Sequence, residues 1–244
     1  MTKIRKRKFF LPRPDAKMLA VSVIGPSHVR RGTPNQDACV VATFGDWRVA
    51  VVSDGVGSCP HSHVGSRLLC TVICRILRGT PPTRFEPKAF LEKIRNEWID
   101  GLRPLTYREA SATCLIAMSD PRHFFAAMLG DGCIGIQMRD GSVRLMTEDK
   151  TAGFSNMTDS MTDRTQAEDW RCLLIPQKAV AGVMLATDGV ADDLLRPEDF
   201  VREILASVRT TETLRAKAEL TRMLTDWLVP GHSDDKTLAC MIFR

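Results

Sequence analysis

Long uncharged runs are missing from this chain of 244 residues. No stretch approaches the roughly 18 apolar residues that a membrane span requires, so no span is expected. No apolar run follows the basic N-terminus either, and a secretory signal is therefore not expected. The eight cysteines, at positions 39, 59, 70, 74, 114, 133, 172 and 240, never form a CxxC pair and mostly sit inside apolar runs. That argues against a disulfide framework and for reduced, mostly buried thiols in a cytoplasmic protein. Internal repeats and low-complexity segments are also lacking, which removes solenoid and disordered classes. Acid is lacking from residues 1–13, where Lys3, Arg5, Lys6, Arg7, Lys8 and Arg13 supply more than the whole formal charge of +5. The body is thus close to neutral. Residues 1–18 read as a basic, solvated tail, with nucleic acid, anionic lipid or an acidic partner as non-specific contacts only.

What is present suits one soluble domain over 19–244. The chain is 44% apolar and 26% charged, which leaves material for a single large core. Apolar, β-branched runs bounded by Gly, Asp or Pro predict strands at 19–24, 38–43, 48–53, 113–118, 123–129, 133–138, 182–187 and 237–243. Asp140-Gly141 between two strand-like runs predicts a hairpin. Helical spacing of Leu68, Leu69, Val72, Ile73, Ile76 and Leu77 predicts a helix over 64–78, and a second follows Pro87 with Phe90, Ile94 and Trp98 on one face. Two more fit 197–208 and 211–228. Residues 150–170 have no clean period and read as a loop or flap. Strands cluster instead of alternating singly with helices. The expected class is therefore α+β: an antiparallel β-sandwich with helices packed outside.

The chemistry is carried by acids at strand ends. VVSDGVG places Asp54 and Gly55 after one buried run, and LATDGVADD places Asp188 and Gly189 after another. HSDDKT puts Asp234 and Asp235 just before the last strand. Asp37 in PNQDA precedes a strand, and Asp131 in LGDG separates two. A single Asp-Gly marks a turn. Several such acids brought to one end of a sandwich would repel, and burial would neutralise them unless cations intervened. Oxygen-only ligands suit Mg²⁺ or Mn²⁺ better than zinc. A zinc site from Cys59, His61, His63, Cys70 and Cys74 fits tetrahedral spacing rules poorly.

NQDA (35–38), SDGVG (53–57), SATCLIAM (111–118), LGDG (129–132), TDGVAD (187–192) and SDDKT (233–237) stand in order across about 19–243. This ordered set resembles the metal-dependent type 2C protein serine/threonine phosphatases, most closely a bacterial-type member. The resemblance implies an αββα sandwich, with hydrolysis of phosphoserine and phosphothreonine by in-line attack of a water held between two Mn²⁺ or Mg²⁺ ions. It also implies phosphorylated protein substrates, with a cognate kinase acting on the same targets. Carried over by position, Asp54 bridges two ions and Gly55 offers its carbonyl, Asp188 and Asp234 hold the second ion, Asp37 holds bound water, and Asp131 serves a third. Asp54, Asp188 and Asp234 are then the catalytic acids.

Three departures bear on activity. Gly32 stands where relatives place a phosphate-gripping arginine, so Arg30 or Arg31 is expected to take that task. Gln36 replaces a glutamate. Val56 stands where many eukaryotic members place a histidine acid, which predicts good turnover of aryl phosphates, whose leaving group needs no proton. His61 and His63, in PHSH, read as loop residues. Met157 and Met161 read as loop packing, and Asp192 and Asp193 as the turn towards Pro197. The alternatives are a catalytically weak module that binds phosphorylated partners, and a hydrolase of small phosphate esters.

Overall fold

A computed structural model describes residues 16–148 and 159–244. Two five-stranded antiparallel sheets lie face to face. The first runs in the order β1 (Ala16–Val23), β10 (Lys236–Phe243), β9 (Val180–Ala186), β6 (Cys133–Met138) and β7 (Val143–Thr147). The second runs β2 (Ala38–Phe44), β3 (Trp47–Ser53), β4 (Cys114–Ser119), β5 (His123–Leu129) and β8 (Arg171–Pro176). Between the sheets, Ala50, Val52, Leu115, Phe124 and Met128 meet Ile134, Ile136, Val183, Leu185 and Met241.

Each sheet is covered on its other face as well. Helices α2 (Ser62–Gly79) and α3 (Pro87–Leu102) lay Leu69, Ile73, Phe90, Ile94 and Trp98 against Val49, Val51, Ile116 and Phe125. Helices α6 (Pro197–Thr210) and α7 (Thr213–Thr225) lay Val201, Leu205, Leu220 and Leu224 against Leu19, Met184, Leu238 and Cys240. Central strands buried on both faces explain the continuous apolar runs of the sequence. A strand such as β3, with every residue buried, cannot alternate with polar positions. Burying each large aliphatic or aromatic side chain contributes roughly 1.5–3 kcal/mol, and the three layers share that gain. Proline opens α3 and α6, and the Glu86 carboxylate caps α3 by accepting from the amides of Lys88 and Ala89.

The architecture is the expected αββα sandwich, with several local differences. β1 starts at Ala16, so three residues assigned to the tail are paired, Lys17 with Ile242 and Met18 with Met241. Strand β8 was not foreseen, and neither were the short helices α1 (Pro26–Arg31), α4 (Tyr107–Ala110) and α5 (Asp188–Ala191). Of the flap at 150–170, the part 150–158 lies outside the described residues, Met157 with it, as do residues 1–15 of the tail. The remainder is a tied-down loop. Met161 is fully buried and its amide donates to the Ala112 carbonyl, while Arg95 donates to the Thr165 carbonyl. The Asp140-Gly141 hairpin forms, closed by the Met138 amide on the Ser142 carbonyl, with Gly141 at φ 88°.

Candidate metal centre

Antiparallel pairing decides which strand ends share a rim. The end of β3, the start of β2, the turn between β5 and β6, the end of β9 and the start of β10 all open at one end of the sandwich. Asp54, Asp37, Asp131, Asp188 and Asp234 occupy those five places. Carboxylate oxygens of Asp54, Asp131 and Asp188 all lie within 4.8 Å of one another. Asp37 joins them: it is buried, its carboxylate is a close neighbour of Asp54, and it accepts from Thr187 Oγ1 at 2.9 Å.

Crowding shows in the acidities. Burial, then the neighbouring carboxylates of Asp37, Asp188 and Asp234, push Asp54 well above the usual aspartate range. Burial, then Asp131 and Asp234, lift Asp188 to about 7. Burial lifts Asp37 to about 6, against the opposing hydrogen bonds from Asp54, Thr237 and Thr187. The leading charges acting on this group are all other carboxylates. Such a cluster is at odds with itself until cations or protons enter. Its donors are all oxygen, so the residues fit a hard divalent ion.

Close backbone approach keeps the acids together. A Cβ on Gly189 would fall 2.0 Å from the Asp235 carbonyl, so the Asp188 turn and the SDDKT segment touch only because position 189 has no side chain. At Gly55 a Cβ would meet Ser62 at 2.7 Å, which gives that glycine a packing reason of its own. Asp54 is fixed through its backbone: its amide donates to Thr113 Oγ1 at 3.1 Å, and its carbonyl accepts from the Thr113 amide at 2.8 Å.

Adjacent acids 234 and 235 have opposite fates. Asp234 is exposed at the rim. Asp235 is 1% exposed and fully engaged: Oδ1 accepts from the Gly25 amide and Oδ2 from the Gln36 amide, both at 2.6 Å. His28 Nδ1 stands 2.9 Å from Oδ2, off the line of a good hydrogen bond. Asp235 therefore acts as a strut under the α1 turn, although its carboxylate, His28 and Asp234 also bring ligand atoms within 4.8 Å of one another. Sequence reasoning missed this role, and missed His28 and Lys236 too. The buried Lys236 ammonium donates to the Asp234 carbonyl and contacts His232 Nδ1, both at 2.9 Å, and burial draws it below the usual lysine value.

Arg30 and Arg31 are exposed at the end of α1, and the structure does not bring either into the carboxylate cluster. The expectation that PHSH is a loop is corrected: His61 caps α2 and His63 lies in its first turn, where the helix N-terminus is built. Asp192 and Asp193 form the expected turn after α5, and the Asp193 carboxylate in addition accepts from Trp227 Nε1 at 2.7 Å.

No curated protein matches this chain in sequence. Solved structures do match in shape. A bacterial serine phosphatase superposes with TM-score 0.70 at 15% identity, covering 95% of this chain and 98% of that one. Serine/threonine phosphatase Stp1 from Staphylococcus aureus gives 0.69 at 14%, with 95% of each chain covered. RsbX in complex with magnesium gives 0.61 at 11%, covering 94% of this chain and 96% of that one. At these identities the likeness establishes the fold. The family profile of protein phosphatase 2C matches residues 24–225, most of the sandwich and every acid but Asp234 and Asp235. With that match over more than half its length, the chain belongs to the protein phosphatase 2C family of serine/threonine phosphatases.

Proposed function

We propose that the chain removes phosphate from phosphoserine and phosphothreonine in proteins, with two Mn²⁺ or Mg²⁺ ions at the rim and a third at Asp131. The observation that carries this reading is the meeting of Asp54, Asp131 and Asp188 oxygens within 4.8 Å from three separate strand ends. Asp54, Asp188, Asp234 and the Gly55 carbonyl would hold the first two ions, and Asp37, pinned by Thr187, would orient the water beside them. Bound ions of this kind supply an activated water and neutralise charge on the transferring phosphoryl group. Five ionised acids outweigh two divalent ions by one charge, which is the electrostatic case for the third.

The chain's own residues do the rest. Water adds to phosphorus as the bond to the serine or threonine oxygen breaks, so phosphate and the free hydroxyl leave. Val56 has no proton to give that oxygen, and aryl phosphates are therefore expected to turn over well. Arg30 or Arg31 would grip the phosphate. In favour, the helix that bears them is tied to the acid segment through the Gly25 amide on Asp235 and the Ser27 amide on the Ser233 carbonyl. Reversing both charges should raise the Michaelis constant for phosphopeptide. The setting is a reducing cytoplasm, with all eight cysteines free, opposite a kinase that phosphorylates the same proteins.

One assay tests the reading: purified protein with a phosphoserine peptide and para-nitrophenyl phosphate, with Mn²⁺, with chelator, and as Asp188→Asn. Turnover should require the ion and fall by about a hundredfold or more in the variant. Turnover that ignores chelation would sink it. Peptide binding without turnover would support a binding module, and turnover of the aryl ester alone a small-ester hydrolase.

A further inference from the structure

Beside the acid rim, the outer helix layer leaves an apolar groove of about 530 Å³. Its floor and walls are Leu194, Phe200, Met223, Trp227, Leu228 and Val229. Two features show that it is built in advance. Trp227 stands edge-on to Phe200, at 6.2 Å and 85°, and its ring N–H is held by Asp193. Leu228, on its wall, is 93% exposed, a placement that costs solubility and contributes nothing to the core.

The groove adjoins the acid site through neighbouring residues of the chain. A smaller polar recess lies on the rim, lined by Asp188, Asp193, Pro230 and Asp234 among others. Asp193 lines that recess and Leu194, next in the chain, lines the groove. Pro230 lines the recess and Val229, just before it, lines the groove. Two separate chain crossings thus join the cavities, and the Asp193–Trp227 hydrogen bond ties one crossing to the other. A protein substrate that delivers a phosphoserine to the acids can lay a flanking segment over this boundary.

We infer that the groove is a specificity pocket of the phosphatase, which takes a bulky apolar side chain of the phosphoprotein a few residues from the phosphoserine. The inference rests on the phosphatase reading of the acid rim. Preformed apolar pockets beside a few placed polar groups are the usual means of such selection. A buried aromatic or aliphatic anchor supplies affinity that the phosphate alone does not.

The test uses phosphoserine peptides, otherwise polar, in which one Phe is stepped from two to ten residues to either side of the phosphoserine. Para-nitrophenyl phosphate is the control substrate, because it is too small to reach the groove. The unaltered protein should prefer one or two Phe positions, with kcat/KM roughly tenfold higher there. L228E, at an exposed position of the groove wall, should fold normally and hydrolyse para-nitrophenyl phosphate as before. It should lose the Phe preference, with the change in KM and not in kcat. Equal turnover of all peptides by the unaltered protein overturns the inference. So does a groove variant that keeps the preference. If the unaltered protein hydrolyses neither substrate with Mn²⁺, the phosphatase reading fails instead, and the two failures are distinct.

Discussion

The two helix layers do the same structural job in different ways. On the α2–α3 side, Trp98 is fully buried and its ring N–H donates inward, to the Gly65 carbonyl at 3.0 Å. The large residues of that layer, Leu69, Ile73, Phe90 and Ile94, are sealed with it. On the α6–α7 side, Trp227 is only partly buried and donates sideways, to an aspartate beside the acid rim. Leu195, Leu214 and Leu228 stand in solvent there. Both layers bury enough surface to cover a sheet. The second leaves the most exposed leucines, and one of them, Leu228, lines the groove that adjoins the acid rim.

Substitution should separate the layers. Trp98→Ala is expected to cost about 3–5 kcal/mol, the loss of a fully enclosed aromatic plus its cavity, read as a lower urea midpoint. Trp227→Ala should cost less than half of that. Equal losses would mean that both layers are core and the groove an accident of packing.

The acid end should respond at an intermediate scale. Asp235→Ala strands two backbone amides and His28 beneath the α1 turn, for roughly 2–3 kcal/mol. Asp235→Asn keeps one acceptor and should lose about half as much. A neutral Asp235→Ala would show that the strut bears no weight.

A smaller effect has its sign set by the raised acidities. Asp188 titrates near 3.8 when unfolded and about 7 when folded, so its ionisation in the ion-free protein disfavours folding. That penalty is absent below the unfolded value, grows as pH rises between the two, and is complete above about 7. Ion-free Asp188→Asn should therefore melt higher than the parent at pH 8, on the order of 5 °C, and equally near pH 4. A lower melting temperature at pH 8 would contradict the crowding described for the rim.

Much of this was legible beforehand, and the exceptions have physical causes. Continuous apolar runs revealed the central strands because those strands are covered on both faces. Strand β8, an edge strand, offers an apolar run of only four residues, Cys172–Ile175, between Arg171 and Pro176, too short to stand out beside the longer runs of the central strands. Helices of four to six residues, such as α1, α4 and α5, are too short to display a period. The rim acids could be found because each follows or precedes a strand. The division of labour between Asp234 and Asp235 could not, since two identical side chains in sequence differ only in which way the backbone turns them. The groove was hidden for a related reason. Trp227 and Leu228 extend the apolar spacing of α7 and read as its last turn, although the helix stops at Thr225.

Strand β1 is zipped along its whole length to β10, the last strand, and Asp234 and Asp235 are the two residues just before that strand. A nascent polypeptide still emerging from the ribosome, with residues 234–243 inside the tunnel, has neither the outer acid nor the strut. Its first strand has no partner to lie against. Such a molecule can shelter under its other layers but cannot yet work as a catalyst, so synthesis itself imposes a delay before the rim is whole.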